Sequence, residues 1–228
     1  MDRNRPLVMT ESSVRSERRG AVQIVWLNRP AKRNALNTKL LQELDGAMWA
    51  ADNDTDVRAL ILTGAGPAFC SGADLSESPD GDPTAASRRA EQLASILGLA
   101  RRLTKPVVSV VCGAALGAGA SLAISGDLMV VGDDLVLGYP EVQRSRVPSA
   151  VIATVQRQLD LKRAFELITL GRMLNASEAL EFGLATRVAT PEAALSAGLA
   201  IATMWAELDQ DVLVTTKRLF YDMAERTS

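Results

Sequence analysis

Proton transfer in this chain has few side chains to rest on. Its 228 residues include no histidine, which closes the Ser-His-Asp and Cys-His mechanisms and the His-rich zinc sites. Asp, Glu, Lys, Tyr and Cys remain. Glu141, in "LGYPEV" and shortly before "VPSAVI", stands in apolar surroundings that disfavour its charged form and raise its pKa towards a useful value. A surface glutamate capping a turn is the other reading of the same residues.

Two Gly-rich turns supply a second kind of chemistry. In "GPAFCSGADL" and "ALGAGASLAI" a run of small residues leads into an apolar stretch, so backbone N–H groups near a helix start could aim at a shared anion. Such donors form an oxyanion hole, each stabilising a developing carbonyl anion by about 3 to 4 kcal/mol. Small side chains leave room for the carbonyl. Close helix–strand packing would also select these glycines. A dinucleotide loop fits poorly, because "GAALGAG" lies midway along the chain and lacks the G-x-G-x-x-G spacing.

The elements that must hold these groups are legible in outline. "AVQIVWLNRP" ends a β-branched run at a turn, a helix is expected from Thr38 to about Asp52, and "VRALILTGAG" gives a strand stopped by glycines. A further helix is expected from about Ala85 to Leu103, ended by Pro106 before the strand "VVSVV". "LMVVGDDLVLGYPE" yields two short strands, and the remainder reads as helices over 150–158, 162–170, 176–182, 191–208 and 211–224, with Ser177 placed before the third. Strands alternate with helices early and helices dominate late, an α/β class with a helical C-terminal part. Residues 1–19 are expected to be a mobile tail, 20–190 the core and 191–228 a C-terminal helical region.

Composition narrows the partners. Lys and Arg at 25 against Asp and Glu at 27 give no global attraction for nucleic acid or an anionic membrane. Two cysteines, Cys70 and Cys112, without metal-ligand spacing, suit a reduced cytoplasmic protein with no metal.

"LNRPAKRNALN", "ILTGAGPAFCSGADL", "KPVVSVVCGAALGAGASLAISGDLMVV", "LGYPEV" and "ASEALEFGLATRV" follow one another in an order that resembles the crotonase superfamily, the enoyl-CoA hydratases and isomerases. The resemblance runs from about Gly20 to Met223. It implies a crotonase-like spiral of ββα units with a helical C-terminal trimerisation region, assembled as a homotrimer or dimer of trimers. It implies an acyl-CoA thioester as substrate, with coenzyme A carried by that substrate and no separate cofactor. The oxyanion donors would be the N–H groups of Ala73 and Ala118, and the acid–base residue Glu141.

One departure from the family pattern stands out. Hydratases of this kind carry a second glutamate in the helix after the second turn, where this chain has Ser121. With no histidine partner, Ser121 would at most hold a water molecule, and a protease reading is excluded. The resemblance then implies a single-glutamate enzyme: a hydratase in preference to a Δ3-Δ2 isomerase or a non-catalytic acyl-CoA binder. For CoA it implies phosphate contacts from Arg29, Lys32 and Arg33, with the backbone at Ala35 and from Cys70 through Asp74 to Leu75 along the pantetheine and adenine. Many relatives continue beyond "TTKRLFYDMAE", so a more open pocket, or one completed by a neighbouring subunit, is expected.

Overall fold

The computed structural model describes residues 12–77 and 83–226. The chain starts with β1 (Val14–Arg19), β2 (Val22–Leu27), α1 (Thr38–Asn53) and β3 (Ala59–Gly64). Next come α2 (Pro83–Leu97), α3 (Leu99–Arg102), β4 (Val107–Val111), β5 (Ala114–Leu116) and α4 (Ala118–Ile124). Then follow β6 (Leu128–Gly132), β7 (Val136–Gly138), α5 (Ser149–Gln158) and α6 (Leu161–Thr169). The last elements are β8 (Met173–Leu174), α7 (Ala176–Glu181), β9 (Arg187–Ala189), α8 (Pro191–Glu207) and α9 (Gln210–Arg226).

The larger sheet has the order β1-β2-β3-β4-β6-β9, and only the β1-β2 pair is antiparallel. Its central strands are apolar without a break because both faces are covered. Ile24, Ile61, Val108, Val110 and Val130 pack on one face against Ala194, Ile201 and Ala202 of α8. Their neighbours Val25, Leu60, Leu62, Val107 and Val131 join the main core on the other. A methyl at Gly198 would collide with Val110, so this glycine lets α8 lie close on the sheet.

A smaller sheet, β5-β7-β8, forms the second layer. Isolated bridges Leu36–Ala73, Ala68–Gly113 and Cys70–Ala115 extend it back towards the earlier turns. Each long strand is thus followed by a short second-layer segment and then by helix, which is the ββα spiral.

Several expectations change. The tail ends sooner than residue 19: Val14 is buried and pairs with Leu27, and the Arg15 guanidinium stacks 4.5 Å above the Trp26 ring. Charges alternating along an edge strand look like a solvated tail in sequence, and edge strands commonly carry them. Residues 1–11 lie outside the described residues. The helix expected over 85–103 is two, broken at Gly98. Asn175, not Ser177, caps α7, in a reciprocal capping box with Glu178. Among the described residues no helix is long and apolar enough to cross a membrane.

The last helix is tied down by a buried polar knot. Lys217 Nζ donates to Ala100 O, Lys105 O and Asp127 Oδ2, each at 2.8 Å, and Tyr221 OH donates to Asp127 Oδ1 at 2.6 Å. The Val107 N–H, at the start of β4, also donates to Asp127 Oδ2. Removing one member leaves a buried charge unpaired, which costs more than the intact pair contributes. Lys217→Met is expected to lower unfolding free energy by about 3 kcal/mol, read from urea denaturation; a loss below ~1 kcal/mol would show that α9 is not held this way.

Candidate active site

The two small-residue turns meet in the second layer. Leu36 N–H donates to Gly72 O at 2.8 Å, and Asp74 N–H donates to Leu36 O at 2.9 Å. In extended chain successive peptides face opposite ways, so the Ala73 N–H points away from Leu36. Among the described residues it has no partner. A Cβ built on Gly72, whose φ is +98°, would lie 2.8 Å from Leu116 O and 3.8 Å from the Ala118 nitrogen. Glycine at 72 therefore lets the first turn touch the second.

Ala118 is the first residue of α4, so its N–H has no acceptor within the helix, and no side chain caps that end. Gly117 before it has φ +55°, a conformation that favours glycine. A Cβ there would collide with the Glu141 carboxylate. Glu141 is half-buried, and its Oε2 has no hydrogen-bond partner. Burial is the main cause that pushes its pKa above the ordinary glutamate value, with its own backbone N–H and the Arg144 charge pulling weakly the other way. Gly72, Ala73, Gly117, Ala118 and Glu141 all line one cavity of about 220 Å³. A glutamate and two residues with unspent N–H groups line a single small space, an arrangement suited to moving a proton beside a carbonyl whose oxygen gains charge.

Not every anticipated residue reaches this space. Ser121 is fully buried, and its Oγ lies 3.2 Å from the equally buried Tyr139 OH, away from the cavity wall. Burial drives the Tyr139 pKa upward, so this pair is a neutral hydrogen bond in the core. A water-holding role for Ser121 is therefore corrected. Cys70 is also buried: its thiol donates to Asn34 O, its N–H to Ala114 O, and its carbonyl accepts from Leu116 N–H. Burial pushes the thiol pKa up to about 12. Nothing of Cys70 is left for CoA.

Arg29 and Asp74 are spent on each other. Arg29 Nη1 donates to Asp74 Oδ2 at 2.9 Å and also to Ala35 O, which takes Arg29 out of the phosphate-binding set and occupies the Ala35 carbonyl expected beside the pantetheine and adenine; the Asp74 backbone is also bonded, its N–H to Leu36 O and its carbonyl to Arg89. Lys32 and Arg33 remain exposed, with no ion pair among the described residues. Leu75 is exposed and lines the cavity. Arg89 on α2 was missed by sequence reasoning. Its Nη2 donates to Leu36 O at 3.1 Å and Asp74 O at 2.9 Å, and its Nη1 to Glu77 Oε2 at 2.9 Å. It straps the turn that carries Ala73, and no local motif announces a bond formed across so many residues. Tyr139 had a signal, two residues before Glu141, but its partner did not.

The family model for enoyl-CoA hydratase/isomerase matches residues 17–228. The chain belongs to the enoyl-CoA hydratase/isomerase family. An enoyl-CoA hydratase of Mycobacterium tuberculosis is 37% identical over 190 residues, 82% of this chain and 71% of that protein. A short-chain-enoyl-CoA hydratase of Clostridium acetobutylicum is 34% identical, covering 85% of this chain and 75% of the relative. Among solved structures, an enoyl-CoA hydratase/isomerase from Xanthobacter autotrophicus superposes with a TM-score of 0.89 at 29% identity, over 96% of this chain and 82% of that one. The fold is that of this family, and the protein is an enzyme of the hydratase or isomerase type.

Glu141 makes a stability prediction. With its folded-state pKa above the unfolded value, the native enzyme holds the proton more tightly than the unfolded chain does. Stability thus declines as pH rises from the unfolded-chain value through the folded-state one. Glu141→Gln is expected to melt about 1–3 °C higher than wild type at pH 7, for a gain below ~1 kcal/mol at this partly exposed site. The difference should vanish at a pH below the ordinary glutamate range. Scanning calorimetry at both pH values decides it, and an unchanged or lower melting point at pH 7 would contradict the buried charge.

Proposed function

We propose that the enzyme hydrates a short 2-enoyl-CoA with Glu141 as its single acid–base residue and the Ala73 and Ala118 N–H groups as its oxyanion donors. The observation that carries this reading is the packing of the Glu141 carboxylate on Gly117, next to the Ala118 N–H, with one carboxylate oxygen unbonded. The ionised carboxylate takes a proton from water as the water oxygen bonds to C3. The C2–C3 π pair moves onto the thioester oxygen, where the two N–H groups meet the charge. The protonated carboxyl then gives its proton to C2, so that one water is added overall. Lys32 and Arg33 are placed to meet CoA phosphates. A cavity of about 220 Å³ suits a short acyl group.

The burial of Ser121 against Tyr139 favours one second reading, a Δ3-Δ2 isomerase, in which Glu141 alone moves a proton from C2 to C4. Loss of enoyl absorbance on adding protein to a four-carbon 2-enoyl-CoA separates the two, since an isomerase leaves that compound unchanged. Glu141→Gln is expected to cut turnover by about a hundredfold or more, and Ser121→Ala by no more than about threefold, because its hydroxyl serves only Tyr139. The wild-type rate should fall as pH drops through a midpoint above the ordinary glutamate range. Full activity in Glu141→Gln would end the reading.

The assembly follows the same proposal, as a homotrimer or dimer of trimers. Leu161, Phe165 and Leu170 on and beside α6 are exposed around a second, apolar cavity of about 790 Å³. Val212, Leu219, Phe220 and Met223 form an exposed stripe on α9. Two different apolar patches on one chain suit head-to-tail contacts that close a ring. Sedimentation equilibrium should give a trimer or its multiple for wild type and a smaller species for Phe165→Asp; a wild-type monomer would refute the assembly.

A further inference from the structure

The wall that supplies Glu141 carries two positive charges, of which the one on Arg144 also acts weakly on the Glu141 carboxylate. Arg144 and Arg146 line the same cavity as Glu141, Ala73 and Ala118. Both backbone N–H groups donate to the Glu141 carbonyl at 2.9 Å, and Ser145 between them takes a left-handed φ of +56°. The turn therefore wraps around Glu141 and fixes both arginines on its segment. Their other neighbours in the wall include Leu75, Leu93, Val147 and Val151.

Among the described residues neither guanidinium has an ion pair or hydrogen-bond partner. Arg29 and Arg89, by contrast, are bonded within the protein. Arg144 and Arg146 are exposed to solvent, and two guanidiniums that line a cavity without an ion-pair partner fit an anion brought by the ligand, for which arginine offers a planar fork. The CoA phosphates have a separate candidate in Lys32 and Arg33, which are not part of this wall. An anion on the acyl group is what remains.

Resting on the acyl-CoA reading above, we propose that Arg144 and Arg146 select an acyl group ending in a carboxylate, so that the substrate is a dicarboxylic enoyl-CoA. The carboxylate at the far end of the acyl chain sits between the guanidiniums while the thioester carbonyl meets Ala73 and Ala118. The unbranched five-carbon glutaconyl thioester is the simplest member of this class and the probe for the test.

The test compares glutaconyl-CoA with its methyl ester, which has nearly the same shape and no charge. Wild-type kcat/KM should be about tenfold or more higher for the acid, as for a charge-assisted hydrogen bond, and Arg144→Met with Arg146→Met should bring that ratio close to one. A ratio near one in wild type overturns the proposal. So does a double variant that weakens both thioesters equally, which would put the arginines on the CoA phosphates. Calorimetric binding of glutaryl-CoA and its methyl ester reads the same preference without turnover. Tight, arginine-dependent binding of glutaryl-CoA with no hydration of any enoyl thioester would thus sink the hydratase reading and leave this one standing.

Discussion

A carboxylate can press against a peptide unit only where the chain has no Cβ in the way. Gly117 is that place, and much of the site is arranged around it. Its N–H donates to Gly138 O at 2.8 Å, and the parallel pairing of β5 with β7 sets Leu116 beside Gly138. Three residues after Gly138 the chain reaches Glu141. The register of a three-stranded sheet therefore decides where the Glu141 carboxylate stands relative to the Ala118 N–H, and a slip of one residue would turn Glu141 to the other face.

The same economy governs the first turn. Ala73 has a free N–H because both of its neighbours are bonded to Leu36 on the opposite side. Arg89 and Arg29 then tie down the Leu36 carbonyl and the Asp74 backbone and side chain. Charge here acts as scaffolding: the guanidiniums bond carbonyls and the carboxylates of Asp74 and Glu77, and a rigid donor needs such support to keep its aim.

What could be read from sequence follows from this division. Glu141, Ala73 and Ala118, which line one cavity, could be singled out from local residue types: small residues for backbone access, and a carboxylate in an apolar stretch. The long parallel strands were legible because burial on both faces leaves an unbroken apolar run. Arg29 and Asp74 were misassigned because their bond joins two distant turns, and basic residues near a motif look alike whether they face solvent or a carboxylate. Ser121 was misread for a similar reason: its partner Tyr139 lies on a different element, and nothing near Ser121 shows it pointing into the core. Strands of two or three residues, such as β5 and β8, owe their existence to pairing and leave almost no periodic signal. The break at Gly98 is one glycine in an otherwise helical pattern, which sequence tolerates either way.

The knot at Asp127 has a consequence for how the enzyme folds. Asp127 lies just beyond the end of α4, the helix that Ala118 begins, and its carboxylate is neutralised from α9 by Lys217 and Tyr221. Until α9 docks, the end of α4 carries a half-buried anion with no counter-charge. Docking of α9 is thereby coupled to the turn at the other end of α4: the parallel strands can collapse on their own apolar faces, while Asp127 gains its partners from an element some ninety residues away.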